Sequence, residues 1–245
     1  MMGKFCYGCI TLTGKIREEN QDNFLLYSVC GWEVFSATAA DEELLNGSGE
    51  KGVFAVFDGI GGGCDGGRAS EICAEYLSEN AERLMAVPSE IMGVFKEMNR
   101  NVCNYAAEKK LGLCGSTSAV IITDGKRIYA ANVGDSRIYH FRTGLTQISA
   151  DHAMNCRGKR MLTQYVGIPE DEMIIEPDLC SVQIDKGAGL LICSDGLTDM
   201  VSEARIAEIL AGGGSAGEKC GRLADEALAA GGRDNITIVV LEWNG

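Results

Sequence analysis

Between residues 118 and 141 three β-rich runs, 118–122, 127–133 and 137–141, follow one another with only turns between them. The first link carries an Asp-Gly pair, Asp124-Gly125, and the second carries Gly134. Links this short join antiparallel neighbours, because a parallel pair needs a crossover of a dozen residues or more. Further strand-like runs lie at 6–12, 24–29, 52–57, 179–184, 190–194 and 236–241. Helical spacing of apolar residues occurs at 69–84, 91–107, 203–210 and 220–228. The helices thus come in two pairs with strands clustered around and between them. That grouping predicts an α+β fold with layered antiparallel sheets rather than a doubly wound parallel sheet.

The chain has 245 residues, 46% of them hydrophobic, which suffices for one domain over 1–245 with a sizeable core. Twenty-two basic residues against 35 acidic ones give a formal charge of −13, which argues against nucleic acid and anionic membranes as partners. No stretch of eighteen apolar residues occurs, and the start lacks the basic and apolar regions of a secretory signal. A cytoplasmic, monomeric protein is expected. The eleven cysteines are odd in number and scattered singly through apolar segments, so they read as reduced core residues. "CYGC" at 6–9 has half of a zinc-site spacing without a second half, and reads as two cysteines on a strand.

Four apolar runs begin or end on an aspartate. Asp58 follows "VFAVF", Asp195 follows "LLICS", Asp234 precedes "NITIVV" and Asp22 opens "NFLLYSV". A carboxylate at the mouth of a buried strand needs a counter-charge. Asp58 runs into six glycines between 59 and 67, where the backbone can approach an ion or phosphate unobstructed. Converging carboxylates with a glycine carbonyl beside them suit Mn²⁺ or Mg²⁺, and two histidines in the whole chain disfavour zinc.

Eight motifs in order carry a family resemblance: "REENQD" (17–22), "VFDGIGG" (56–62), "GSTSAV" (115–120), "ANVGDSRIY" (131–139), "SADH" (149–152), "LTQYVG" (162–167), "CSDGLTDM" (193–200) and "GGRDNITIVV" (231–240). The chain resembles the PPM-type, metal-dependent protein serine/threonine phosphatases, also called protein phosphatase 2C, in their compact bacterial form. The resemblance implies an αββα sandwich, two antiparallel sheets flanked by helix pairs, with a two-metal centre where the sheets meet. Asp58 then bridges the ions, Gly59 offers its carbonyl, Asp195 and Asp234 complete one ion, and Asp22 serves the second or its water. Asp135, Asp195 and Asp199 match a weaker third position, and Arg17 matches the arginine that binds substrate phosphate. The implied reaction is direct hydrolysis of phosphoserine and phosphothreonine by water between the ions, reversing a cognate serine/threonine kinase on phosphorylated protein substrates. A silent phosphoprotein-binding module of the same fold is the alternative, against which the retention of Asp58, Asp195 and Asp234 argues. No C-x₅-R occurs, and Cys64 with Arg68 falls one residue short of that nucleophile loop.

Three departures from the family stand out. Gln21 occupies a position often held by Glu, and Ile60 one where many members carry a histidine thought to act as general acid. His152 is expected to serve structure. Only nine residues separate His152 from Leu162, so the family's flap is expected to shrink to a loop. Within it Arg157, Lys159 and Arg160 form either a solvated turn or a cationic lip facing the metal centre. Asp41, Glu42 and Glu43 read as a solvated loop.

Overall fold

The 53–57 run is apolar at every position because both of its faces are buried. The computed structural model describes residues 4–31, 33–38, 43–61, 65–156 and 158–243. In chain order it begins with strands β1 (Phe5–Leu12), β2 (Asp22–Cys30), β3 (Glu33–Thr38), β4 (Glu43–Gly49) and β5 (Lys51–Ile60). Helices α1 (Gly66–Glu79), α2 (Ala81–Ala86) and α3 (Ile91–Lys109) follow. Next come β6 (Gly115–Ser116), β7 (Ser118–Thr123), β8 (Arg127–Val133), β9 (Arg137–Phe141) and β10 (Leu145–Gln147). A hairpin of β11 (Ala153–Cys156) and β12 (Lys159–Leu162) precedes β13 (Asp178–Gln183) and β14 (Gly189–Cys193). The chain closes with α4 (Asp195–Thr198), α5 (Glu203–Ala211), α6 (Ala216–Ala229) and β15 (Ile236–Glu242).

Two antiparallel sheets result. One runs β10-β9-β14-β15-β1-β4 and the other β13-β8-β7-β5-β2-β3, with β6 paired to β5. Strand alternation explains their stacking. Phe24 and Leu26 of β2 and Phe54 and Val56 of β5 point at the other sheet, where they meet Phe5, Ile192 and Val239. Leu25, Tyr27, Val53 and Phe57, one residue out of phase, point at Cys73, Leu77, Phe95 and Met98 of α1 and α3. On the far side Leu191, Ile238 and Val240 pack against Ile206, Leu210 and Leu223 of α5 and α6. The layers are therefore helix, sheet, sheet, helix, as the resemblance implies. Between the sheets the Phe5 and Phe54 rings meet edge to face, 5.6 Å apart.

The nine strand-like runs all form strands, and the expected helix over 69–84 divides at Asn80 into α1 and α2. Strands β3, β4, β6, β10, β11 and β12 were not legible. Glu43, expected in a solvated loop, opens β4, while Asp41 and Glu42 lie outside the described residues. β4 looks like a loop because of its glycines, and the packing requires at least one of them: a Cβ on Gly47 would lie 2.2 Å from the Tyr7 hydroxyl. The cysteine reading holds for Cys9, Cys73, Cys114, Cys193 and Cys220, which are buried thiols, but Cys6 and Cys156 are exposed. No helix among the described residues is long and apolar enough to cross a membrane.

Candidate metal centre

Antiparallel pairing brings the start of β2 beside the end of β5, so that Asp22 and Asp58 stand directly opposite each other. In the other sheet the Ser194 N–H donates to Thr237 O at 3.0 Å, which sets the end of β14 beside the start of β15. Asp195 and Asp234 flank that junction. Because the sheets stack with these ends together, four carboxylates from four strand ends converge. Asp135 joins them from the β8–β9 turn, where the chain crosses between sheets, and Asp199 follows one turn after Asp195 on α4. A pocket of about 870 Å³ opens there, lined by Asp58, Gly59, Asp135, Asp195, Asp199 and Asp234, with Arg17 also on its wall. Asp22 is buried, 4% exposed, and does not line the pocket.

Burial and mutual repulsion dominate the electrostatics. Burial pushes the Asp58 carboxyl well above its usual range, and Asp22, Asp195, Asp135 and Asp234 push it further. Burial likewise raises Asp195 to about 7, with Asp135, Asp234 and Asp199 adding to it. Asp22 rises to about 7 by burial despite hydrogen bonds that favour its charged form, among them Ser194 Oγ–H donating to Asp22 Oδ2 at 2.7 Å. The other oxygen of Asp22, Oδ1, and Oδ1 of Asp195 are buried without a hydrogen-bond partner. Buried carboxylate oxygens left unpaired in this way are stabilised by a cation or a proton.

The protein's own cations sit at the two ends of this row of acids. At one end Arg17 Nη2 donates to Asp234 Oδ2 at 2.6 Å, with its side chain otherwise largely exposed. At the other end Arg160 Nε donates to Asp135 Oδ2 at 3.1 Å and its Nη2 to Asp151 Oδ2 at 2.5 Å. Arg137 holds Asp151 in turn with three N–H bonds of 2.7 to 3.0 Å. Where the flap loop is expected, β11 and β12 pair as antiparallel strands. Their alternation sends Arg160, paired with Asn155, toward the site, and Lys159, paired with Cys156, to the outer face, where it is exposed. Of the two readings of this basic stretch, the lip reading fits Arg160 and the solvated reading fits Lys159; Arg157 lies outside the described residues.

Several positioning residues carried no assigned role in the sequence. Asn235 Oδ1 accepts from the Gln21 N–H, and Asn235 Nδ2 donates to Thr13 O and Glu19 O, each at 2.9 Å, so one amide fastens the loop that carries Arg17. The signal was present, since Asn235 follows Asp234 inside a quoted motif. Thr117 Oγ1 accepts from the Asp58 N–H at 3.0 Å, and the Thr117 N–H donates to Asp58 O at 2.8 Å. The glycine after Asp58 is required by close approach, because a Cβ on Gly59 would meet Gly66 O of α1 at 2.3 Å. His152 Nδ1 accepts from the Gly134 N–H at 3.3 Å, and the His152 N–H donates to Gly134 O at 2.8 Å, which is the structural role expected of it. Ile60, which also lines the pocket, has no proton to give.

These residues fit hard divalent cations: every candidate donor is an oxygen, and two buried carboxylate oxygens lack partners. Among the described residues no three carboxylate, thiol or imidazole side chains close on one point. Asp234 and Asp135 are each turned toward an arginine at the rim.

Sequence and fold both resemble known phosphatases. The family model for protein phosphatase 2C matches residues 28–161, more than half of the chain. A serine/threonine phosphatase, stp, of Listeria innocua is 29% identical over 255 residues, covering 94% of this chain and 93% of its own. The catalytic domain of a serine/threonine protein phosphatase PstP, solved in complex with two manganese ions, superposes with a TM-score of 0.77 at 25% identity, covering 99% of this chain and 100% of its own. A crystal structure of a bacterial serine phosphatase shares the fold with a TM-score of 0.81 at 23% identity, each chain 98% covered. The chain belongs to the protein phosphatase 2C family.

Proposed function

We propose that the chain is a metal-dependent protein serine/threonine phosphatase, with residues 1–245 working as one catalytic domain. The observation that carries this reading is the convergence of Asp22, Asp58, Asp195 and Asp234 from four strand ends, with buried carboxylate oxygens left for cations. The family match and the phosphatases among its relatives support it.

In this reading two Mn²⁺ or Mg²⁺ ions would be held by Asp58, shared between them, with the Gly59 carbonyl, Asp195 and Asp234 serving one and Asp22 the other. Asp135, Asp195 and Asp199 would serve a weaker third position. Bound ions of this kind lower the pKa of water and neutralise phosphoryl oxygens. The chain's own contribution is orientation. Arg17 stands at the pocket mouth with one arm on Asp234, which leaves N–H groups of its planar fork free for two phosphate oxygens. Asn235 fixes the loop that delivers Arg17, and the Thr117 bonds fix Asp58. Ile60 has no proton for the leaving alkoxide, so either water in the open pocket supplies it or the site favours substrates with low-pKa leaving groups. The partners in this account are phosphorylated proteins and a cognate serine/threonine kinase, and the enzyme acts as a monomer in the cytoplasm.

The test compares phosphoserine, phosphothreonine and phosphotyrosine peptides and an aryl phosphate under Mn²⁺. Release of phosphate from the first two peptides is expected. Binding of phosphopeptides without turnover of any substrate would favour a silent binding module instead.

A further inference from the structure

The residues of β1, β14 and β15 that face the second sheet are mostly apolar, and each row turns polar where it reaches the metal centre. Along β1 the row Phe5, Tyr7, Cys9 ends on Thr11. Along β15, read from its far end, Leu241 and Val239 give way to Thr237. On β14 Leu190 and Ile192 are followed by Ser194. Thr11, Thr237 and Ser194 are fully buried, and a hydroxyl buried so deeply needs partners.

Asn20 fixes the direction of their bonds. Its Oδ1 accepts from the Asp22 N–H at 3.2 Å, so the other end of its amide is Nδ2, which only donates, and Nδ2 lies 2.9 Å from Thr11 Oγ1. Thr11 accepts there and keeps its one proton for Thr237 Oγ1, 2.8 Å away across a β1–β15 register pair. Thr237 in turn has its own proton for Asp22, whose charged form it favours. Ser194 supplies a second donor by a separate route: its Oγ accepts from the Thr237 N–H at 3.0 Å and donates to Asp22 Oδ2 at 2.7 Å. The relay thus starts at the backbone of residue 22 and returns to its carboxylate, while Asp22 Oδ1 stays without a partner. Partners of this kind orient a metal ligand without touching the metal.

We propose that Asn20, Thr11 and Thr237 are positioning residues that act in series, with Ser194 beside them in parallel, to hold the Asp22 carboxylate in one orientation with Oδ1 left for a divalent cation. The inference rests on the two-ion reading of the site given above.

The experiment is isothermal titration of the whole, chelator-treated chain with Mn²⁺. Thr11→Val keeps the shape of the side chain and removes its proton. Although Thr11 is no candidate ligand, the variant should weaken one of the two binding steps by about tenfold or more and leave the other unchanged. Thr11→Ser, which restores the hydroxyl, should bind as the wild type does. Because the threonines act in series, Thr11→Val combined with Thr237→Val should bind no more weakly than Thr237→Val alone, whereas adding Ser194→Ala should weaken binding further. Asn20→Ala breaks the relay at its half-buried end. It should reproduce the effect of Thr11→Val, and it serves as the test where a buried valine prevents folding. Fewer than two ions bound to the wild type would overturn the two-ion reading and this inference with it. Two ions in the wild type with unchanged isotherms in Thr11→Val and Asn20→Ala, their melting temperatures lowered equally in chelator and in Mn²⁺, would overturn this inference alone. Additive losses from the two threonines would overturn it as well.

Discussion

Asp22 and Asp58 face each other across the β2–β5 pair, two carboxylates in register on neighbouring strands. Like charges directly opposite are destabilising in a sheet, and here Asp195 and Asp234 are brought to the same place by the second sheet. A bound cation relieves that concentration of charge, and in its absence protons do. Asp58→Asn removes its centre, and turnover should fall by about three orders of magnitude or more, with less Mn²⁺ bound per chain by isothermal titration. A variant with nearly full turnover would show that Asp58 does not bridge.

Asp199 sits at the edge of the same pocket, after α4. Asp199→Ala should lower turnover while leaving the two tighter ions bound. Loss of bound Mn²⁺ as large as in Asp58→Asn would mean that the positions have been divided wrongly.

Without divalent ions the cluster should make stability depend on pH with a definite sign. Carboxyls raised in the folded state bind more protons there than when unfolded, so their contribution is present at low pH and is lost as pH rises through the folded values. For Asp22 and Asp195 that window runs from about 4 for an ordinary carboxyl to about 7. In chelator, the melting temperature should drop across this range, and Asp58→Asn should flatten the drop by removing one of the repelling charges. A melting temperature that rises with pH in chelator would contradict the electrostatic account.

Arg160 and Lys159 are neighbours in sequence on opposite faces of the β11–β12 hairpin. Arg160→Ala should therefore lower kcat/KM for acidic phosphopeptides several-fold at low salt, and Lys159→Ala should not. The aryl phosphate should be nearly indifferent to both. Equal losses on both substrates in Arg160→Ala would mean that this arginine acts by holding Asp135 rather than by attracting substrate.

Asn235 makes three hydrogen bonds to the loop around Arg17. Asn235→Ala should destabilise the fold by roughly 1–3 kcal/mol, as expected for buried groups left unpaired. It should also raise KM for phosphopeptides, since Arg17 loses its fixed position. Unchanged KM would leave Asn235 a purely structural residue.

The strands that build the sandwich were legible because burial on both faces makes runs such as 53–57 apolar throughout, and Asp22, Asp58, Asp195 and Asp234 were legible because each interrupts such a run. What escaped depended on distant partners. β4 reads as a loop until Tyr7 is seen lying over Gly47, and the break at Asn80 interrupts no apolar period. Arg160 gave only its charge; which way it points follows from the register of a hairpin that the spacing had suggested was a loop. Asn235 was visible inside a motif, but its three partners come from residues more than 200 positions away.

The most direct test of the account is hydrolysis of a phosphothreonine peptide by the chain, first freed of metal with a chelator and then titrated with Mn²⁺ while ion binding is followed on the same sample. The account predicts no turnover in chelator, recovery that rises as two ions per chain bind, and poor recovery with Ca²⁺, whose larger radius relaxes the bridged geometry. Full turnover in excess chelator would contradict it.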